Sequence, residues 1–402
     1  MIKPKNFCSV PFQSLEIIGN GSCDVCCKRT VNTIRDPKGR PYMLKESSIN
    51  EIWNSEYMKK LRQQFLNNEK PKECERCYID EETTGYSYRL AEYNKDVDLD
   101  QPKITELVIK MSNLCNQACL TCSPFDSSLW RDEYIKNKIP LESINYSPQL
   151  DELFRAKTLN DHNLLELVEL SKNLSKLYIR GGEPTIHKEL HHYINLICQN
   201  NSSSNIHLIM NTNAMVFNSE FIANCSKFKK TSIMLSIDNI GASYEYIRWP
   251  GNWGKIHENV LRYKKLNDPY EIQINTTISV LNILDIEKIL DVFNEYELRV
   301  SLTGSFVFKP ELLSVCNMPN FLKEYATSKL EKINFEKYNE RYISKLEIKN
   351  LINFINYPPS DVKFQDKKYY SNSLIDYLNP LDNSRKVYFK NSLPELYDLI
   401  HN

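Results

Sequence analysis

A chain of 402 residues that is 41% hydrophobic can bury a core of barrel size with one or two small modules beside it, which excludes a small stapled scaffold. Its 51 basic and 51 acidic residues cancel, so no charge field favours general nucleic-acid or anionic-membrane binding. The opening MIKPKNFCSVPF lacks the apolar core of a secretory signal, and no long apolar run follows, so a cytoplasmic protein with no nucleic-acid or membrane partner is expected.

Residues 1–95 read as a cysteine-bearing module. Twelve cysteines in a chain with no export signal point to metal or redox chemistry, because the cytosol keeps thiols reduced. Nine of them precede residue 123: Cys8, Cys23, Cys26, Cys27, Cys74, Cys77, Cys115, Cys119 and Cys122. Such clustering is typical of ligand sets. Between them, residues 47–68 predict one capped helix starting at Ser47 or Ser48, with Ile49, Ile52, Trp53, Tyr57, Leu61 and Phe65 on one face. Pro71 then begins the turn that carries Cys74 and Cys77.

From residue 96 to 318 short β-branched runs alternate with longer helical stretches, the pattern of parallel βα units. Strands are predicted at 104–111, 176–180, 205–210, 231–237, 271–280 and 297–302, giving an α/β fold with an open, partial (β/α)6 barrel. The interval 123–174 is longer than a crossover needs and is expected to cover the site. Residues 319–402 predict a helical extension, broken at Pro358 and Pro359, that serves as a docking set or a lid.

The triplet Cys115, Cys119 and Cys122, in the loop CNQACLTC, follows the first predicted strand at the carboxyl end of the barrel, where loops assemble sites. Soft thiolates suit zinc or iron–sulfur centres. Structural zinc and a closed cubane want four ligands, so three leave one position open to an exogenous ligand, unless a distant residue completes a zinc site. After the second predicted strand comes RGGEP: Gly181 and Gly182 let backbone approach a ligand, Glu183 can accept from an ammonium group, and Pro184 suits a first helical turn. NTN at 211–213 follows the third strand, and SIDNIGASYEYIR, with Ser236, Asp238 and Arg248, follows the fourth.

In order and spacing these motifs resemble the radical S-adenosylmethionine (SAM) enzymes over residues 104 to about 305. That resemblance implies a [4Fe–4S] cluster on Cys115, Cys119 and Cys122 whose open iron binds SAM, and reductive cleavage of SAM to a 5′-deoxyadenosyl radical. It further implies that Glu183, beside Gly181 and Gly182, holds the SAM amino group. Asn211, Ser236, Asp238 and Asn275 fall where the family contacts the methionine or ribose part, with Thr276 beside Asn275. Arg248 falls where a guanidinium holds the carboxylate. Thr121 departs from the aromatic residue that many members place there against adenine.

The amino-terminal cysteines resemble the SPASM or shorter twitch domains that bind an auxiliary [4Fe–4S] cluster, here with Cys8, Cys26, Cys74 and Cys77 as ligands. Cys23 or Cys27 could replace Cys26, and a zinc site is the alternative. The module usually follows the barrel, whereas here it precedes it, as in a group with an amino-terminal twitch domain whose likeness extends weakly into LDNSRKVYFKNSLPEL. Cys198, Cys225 and Cys316 read as core thiols, Cys316 alternatively as a hydrogen-atom donor. His191 and His192 form no metal-binding spacing.

The resemblance implies an oxidoreductase that takes a substrate hydrogen atom and passes an electron to the auxiliary cluster, with flavodoxin or ferredoxin as donor and a small molecule as substrate. A peptide-modifying maturase or epimerase is the alternative. A non-catalytic iron–sulfur carrier or redox sensor is the alternative of another class.

Overall fold

The computed structural model describes residues 3–28, 33–85, 87–137 and 161–401. Part of the interval 123–174 therefore lies outside the described residues. Eight strands share one sheet: β1 (Ser14–Ile17), β2 (Cys23–Asp24), β3 (Glu106–Ile109), β4 (Lys176–Ile179), β5 (His207–Thr212), β6 (Lys230–Ser236), β7 (Tyr270–Ile278) and β8 (Arg299–Phe306), in the order β2-β1-β3-β4-β5-β6-β7-β8. The six predicted runs form β3 to β8. Sequence reasoning missed β1 and β2, which the amino-terminal module adds to the sheet; β1 runs parallel to β3, and β2 antiparallel to β1.

The chain divides into two compact units. In the first (1–113, 149–210 and 219–231), strand register stacks apolar side chains in layers. Leu15, Leu107, Leu177 and Leu208 align in one, and Ile17, Ile109, Ile179 and Met210 in the next. All eight are at most 1% exposed. Each contributes roughly 1.5–3 kcal/mol by leaving water. Helix Lys188–Gln199 buries Leu190, Tyr193, Ile194 and Ile197 at helical spacing.

The helix expected over 47–68 is two helices, Ile49–Trp53 and Glu56–Leu66. Ser48 caps the first with a reciprocal box, its hydroxyl accepting from Glu51 N at 3.1 Å while Ser48 N donates to Glu51 Oε2 at 2.8 Å. Ser55, extended at ψ 157°, caps the second, and that extended residue is what breaks the run. Arg62 then donates to Pro11 O at 2.8 Å and to Trp53 O at 3.0 Å, locking the second helix to the start of the chain.

The second unit (114–148, 211–218 and 232–402) contains most of β6, all of β7 and β8, and the carboxyl-terminal helices Asn320–Glu331, Lys345–Ile355, Lys367–Arg385 and Pro394–His401. β7 and β8 are parallel with a register shift between Asn275 and Thr277. Phe306 of β8 packs on Phe354 at 4.0 Å between ring centroids, so the tail completes the core of this unit. No described helix is long and apolar enough to cross a membrane.

Candidate functional site

The cysteine loop of the second unit has no regular structure, and its shape comes from bonds to other segments. Ala118 N donates to Trp249 O at 2.6 Å and Leu120 N to Ile247 O at 2.7 Å. Trp130 Nε1 donates to Cys119 O at 3.0 Å, and Gln117 Nε2 to Tyr244 Oη at 3.0 Å. Ala118, Leu120 and Trp130 are buried, which sinks the loop's apolar positions and fixes the three cysteines between them. Cys119 is buried; Cys115 and Cys122 are half-buried.

Burial pushes the thiols of Cys119 and Cys122 up. For Cys122 the charges of Asp126, Cys119 and Cys115 add to the burial, so the three sulfurs repel one another as thiolates. Only nearby positive charge makes that donor set favourable. The protein supplies one guanidinium close by: Arg248 Nη1 lies 3.8 Å from Cys119 Sγ while its Nε donates to Asp238 Oδ2 at 2.9 Å. Burial opposes the charge on Arg248, but Asp238 and then Cys119 raise its pKa and keep it protonated.

Asp238 is fully buried and carries a full set of donors. Thr277 N reaches its Oδ1 at 2.8 Å, and Thr121 Oγ1 joins Arg248 on Oδ2 at 3.1 Å. Thr121 thus ties the cysteine loop to the end of β6. Ser236 is half-buried and Asn275 buried, while the Thr276 hydroxyl donates to Ile237 O at 2.8 Å and is committed to the sheet. Asn211 is half-buried at the end of β5. Sequence reasoning passed over Asn213, whose Nδ2 lies 2.7 Å from Asn116 Oδ1 and 3.9 Å from Cys115 Sγ. The NTN motif contained both asparagines and gave no reason to prefer the second.

In the first unit, Gly181 and Gly182 have φ of 78° and 55°, the left-handed region. A Cβ on Gly181 would also strike the Lys110 side chain, so this turn requires glycine twice over. Glu183, 1% exposed, accepts through Oε1 from Thr185 N at 3.0 Å and from Thr185 Oγ1 at 2.7 Å. Pro184 opens the short helix that follows. His187 Nε2 pairs with Ser112 Oγ at 2.7 Å, and His191 Nε2 donates to Pro184 O at 2.9 Å, so both ring systems brace the turn.

The amino-terminal cysteines are also in the first unit. Cys8 is buried; Cys74 caps helix Glu75–Thr84, and Cys77 lies in its first turn. Burial pushes the Cys8 thiol well up, and Cys26, Cys74 and Cys77 push it further, which puts all four in one electrostatic neighbourhood. Cys27 is exposed and has Cys77 as its thiol neighbour, whereas Cys23 is buried beside Asp24 and Glu166. Cys225 and Cys316 are buried, and Cys198 is half-buried.

Among the described residues no three His, Cys, Asp or Glu side chains stand close enough to hold a single metal ion. Thiolates are the donors that iron–sulfur clusters take, and the triplet and the amino-terminal thiols supply that donor set.

Residues 109–295 match the family described as the radical SAM superfamily, and residues 8–78 match SPASM, an iron–sulfur cluster-binding domain. Residues 109–295 are thus a radical SAM domain. A SPASM module precedes it, and the cofactors of these two domains are a [4Fe–4S] cluster, SAM and an auxiliary iron–sulfur cluster. No curated protein matches the sequence. Among solved structures it is similar to Streptococcus suis SuiB bound to the precursor peptide SuiA, at 16% identity and a TM-score of 0.37, over 59% of this chain and 48% of that one. It is also similar to anSMEcpe with bound AdoMet, at 16% identity and a TM-score of 0.37, over 74% of this chain and 99% of that one. The chain spans about half the length of SuiB.

Proposed function

We propose that this enzyme oxidises its substrate by two electrons, using a SAM-binding [4Fe–4S] cluster on Cys115, Cys119 and Cys122 and a second cluster on Cys8, Cys26, Cys74 and Cys77. The observation that carries this reading is the pairing of a three-thiol set with a four-thiol set in one chain. Three ligands leave an iron open to SAM, whereas four close the cluster and fit it for electron transfer alone. When bound, the first cluster and SAM supply one-electron cleavage and hydrogen-atom abstraction.

The chain's own residues orient and balance charge. Glu183 offers a buried carboxylate to the SAM ammonium group, beside backbone that Gly181 and Gly182 leave bare. Arg248, with Nε on Asp238 and Nη1 toward Cys119, keeps Nη2 without a protein partner among the described residues, and that nitrogen can take the SAM carboxylate. Asp238 positions Arg248 and the Thr121 end of the cysteine loop. Asn211, Ser236 and Asn275 contribute ribose or methionine contacts. Flavodoxin or ferredoxin would supply one electron, and a cluster held by Cys8, Cys26, Cys74 and Cys77 would accept one from the substrate, which would thereby lose a hydrogen atom, an electron and a proton.

The test is iron, sulfide and EPR on anaerobically reconstituted protein beside Cys115→Ala/Cys119→Ala/Cys122→Ala, with assay of 5′-deoxyadenosine and screening of alcohols and peptides for oxidation. About eight irons falling to about four, with loss of the SAM-perturbed signal and of deoxyadenosine, is expected. A variant with no remaining iron would overturn the second cluster and the oxidation step. A wild type that holds both clusters but leaves SAM intact would make the protein an electron carrier.

A further inference from the structure

The end of helix Lys367–Arg385 has a buried polar arrangement that the chemistry above does not use. Arg385 forms a two-pronged pair with Glu133, Nε to Oε1 at 2.9 Å and Nη2 to Oε2 at 2.7 Å, with side chains 3% and 6% exposed. The same Nη2 donates to Ala118 O at 2.8 Å. The guanidinium lies 5.4 Å from the Trp130 ring and 5.1 Å from the Trp249 ring. Both tryptophans also bond the cysteine loop, Trp130 Nε1 to Cys119 O and Trp249 O to Ala118 N. The two carbonyls that flank the Cys119 nitrogen and Cα are therefore both held from one cluster with Arg385 at its centre.

The tail also reaches a second element of the same unit. Asp382, one turn before Arg385, accepts from Tyr246 Oη at 2.8 Å and from Phe389 N at 2.8 Å, and Ser243 Oγ donates to Ser392 O at 2.8 Å. Tyr246 and Ser243 lie on the helix Gly241–Ile247 that ends at Arg248. One short stretch of tail thus ties down both the loop that carries Cys119 and the helix that delivers Arg248.

We infer that Arg385 is a positioning residue, which sets the backbone at Cys119 by clamping Ala118 O between Glu133 and the two tryptophans. The inference rests on the reading that the triplet holds the SAM-binding cluster. A buried ion pair adds little stability over well-packed apolar side chains, so its value here is geometric. Only a guanidinium can fork onto a carboxylate and still offer an N–H to a carbonyl; an ammonium is a point charge without that fixed fork.

The test compares holoenzyme with Arg385→Met/Glu133→Leu, which replaces the pair by apolar side chains and leaves no uncompensated charge, and with Arg385→Lys. Thermal melting and the EPR signal of the auxiliary cluster serve as internal controls for folding. With those controls retained, the double variant is expected to bind SAM about 10–100-fold more weakly and to lose the SAM-perturbed signal of the triplet cluster, with partial recovery in Arg385→Lys. A rise in the SAM dissociation constant of less than about tenfold in the double variant would overturn the inference. Should the double variant fail to fold, Arg385→Lys decides alone, and wild-type SAM affinity with an unchanged signal overturns it. A wild type without any SAM-perturbed signal would overturn the underlying reading, and the inference with it.

Discussion

Arg248 Nε donates to Asp238 Oδ2 at 2.9 Å in a pair whose side chains are 8% and 0% exposed. Asp238 is the carboxylate that pairs with that guanidinium, and Thr121 and Thr277 share it, so removing the acid strands a buried cation and frees a loop and a strand at once. Asp238→Ala is expected to cost about 3–5 kcal/mol, the usual cost of breaking a buried pair from one side. Asp238→Asn keeps a hydrogen-bonding side chain and should cost less. Urea denaturation of the two variants checks the order, and equal stability of Asp238→Ala and wild type would refute the pairing's importance.

Glu183 makes a sharper prediction for ligand binding than for stability. Its Oε1 already accepts two bonds from Thr185, and an amide oxygen in Glu183→Gln can accept the same two. The fold should therefore survive. What the variant loses is the negative charge proposed to meet the SAM ammonium group, and a charge-assisted bond is worth about 1.5–3 kcal/mol, or roughly 10–100-fold in SAM affinity. Isothermal titration of reconstituted protein with SAM measures this directly; unchanged affinity would remove Glu183 from the SAM contacts.

How far these features are legible in the sequence depends on how local their causes are. β3 to β8 announce themselves as β-branched runs, and the cysteine spacings and RGGEP stand out without a fold. β1 is four residues long, and its partner β3 is some ninety residues away, so neither length nor periodicity marks it. The tail is readable as helical, but Arg385 meets Glu133 across 252 residues, and no local pattern encodes that. Asp238 reads as a ligand contact, and the donors that Thr121, Arg248 and Thr277 bring to its carboxylate come from three separate segments that no local pattern joins. Thr121 looks like a lost aromatic until its hydroxyl is seen on Asp238.

The amino-terminal cysteines separate by environment. Cys8 senses Cys26, Cys74 and Cys77, whereas Cys27 is exposed and Cys23 sits beside carboxylates. Cys26→Ala is expected to lose the auxiliary cluster, about four irons, and its EPR signal, while Cys27→Ala and Cys23→Ala keep both. Iron content of the three variants after identical reconstitution decides it. Retention by Cys26→Ala with loss in Cys27→Ala would exchange the two assignments.

The histidines beside the glycine turn give the first unit a pH dependence. His187 Nδ1 accepts from Leu190 N at 3.4 Å and so caps helix Lys188–Gln199 in its neutral form, with the proton on Nε2 toward Ser112. Burial lowers the pKa of His187 below its ordinary value; Glu189 opposes this and His191 adds to it. Burial likewise lowers His191, against its bond to Pro184 O. A depressed folded pKa means that the unfolded chain takes up the proton first as pH falls, so stability is full above about pH 6.5 and declines below it, levelling once the folded histidines titrate. His187→Asn keeps a capping side chain but cannot titrate. The urea midpoint of wild type should therefore drop between about pH 7 and pH 5, less so in His187→Asn and least in His187→Asn/His191→Gln. Parallel pH profiles for all three proteins would mean that the decline comes from other groups.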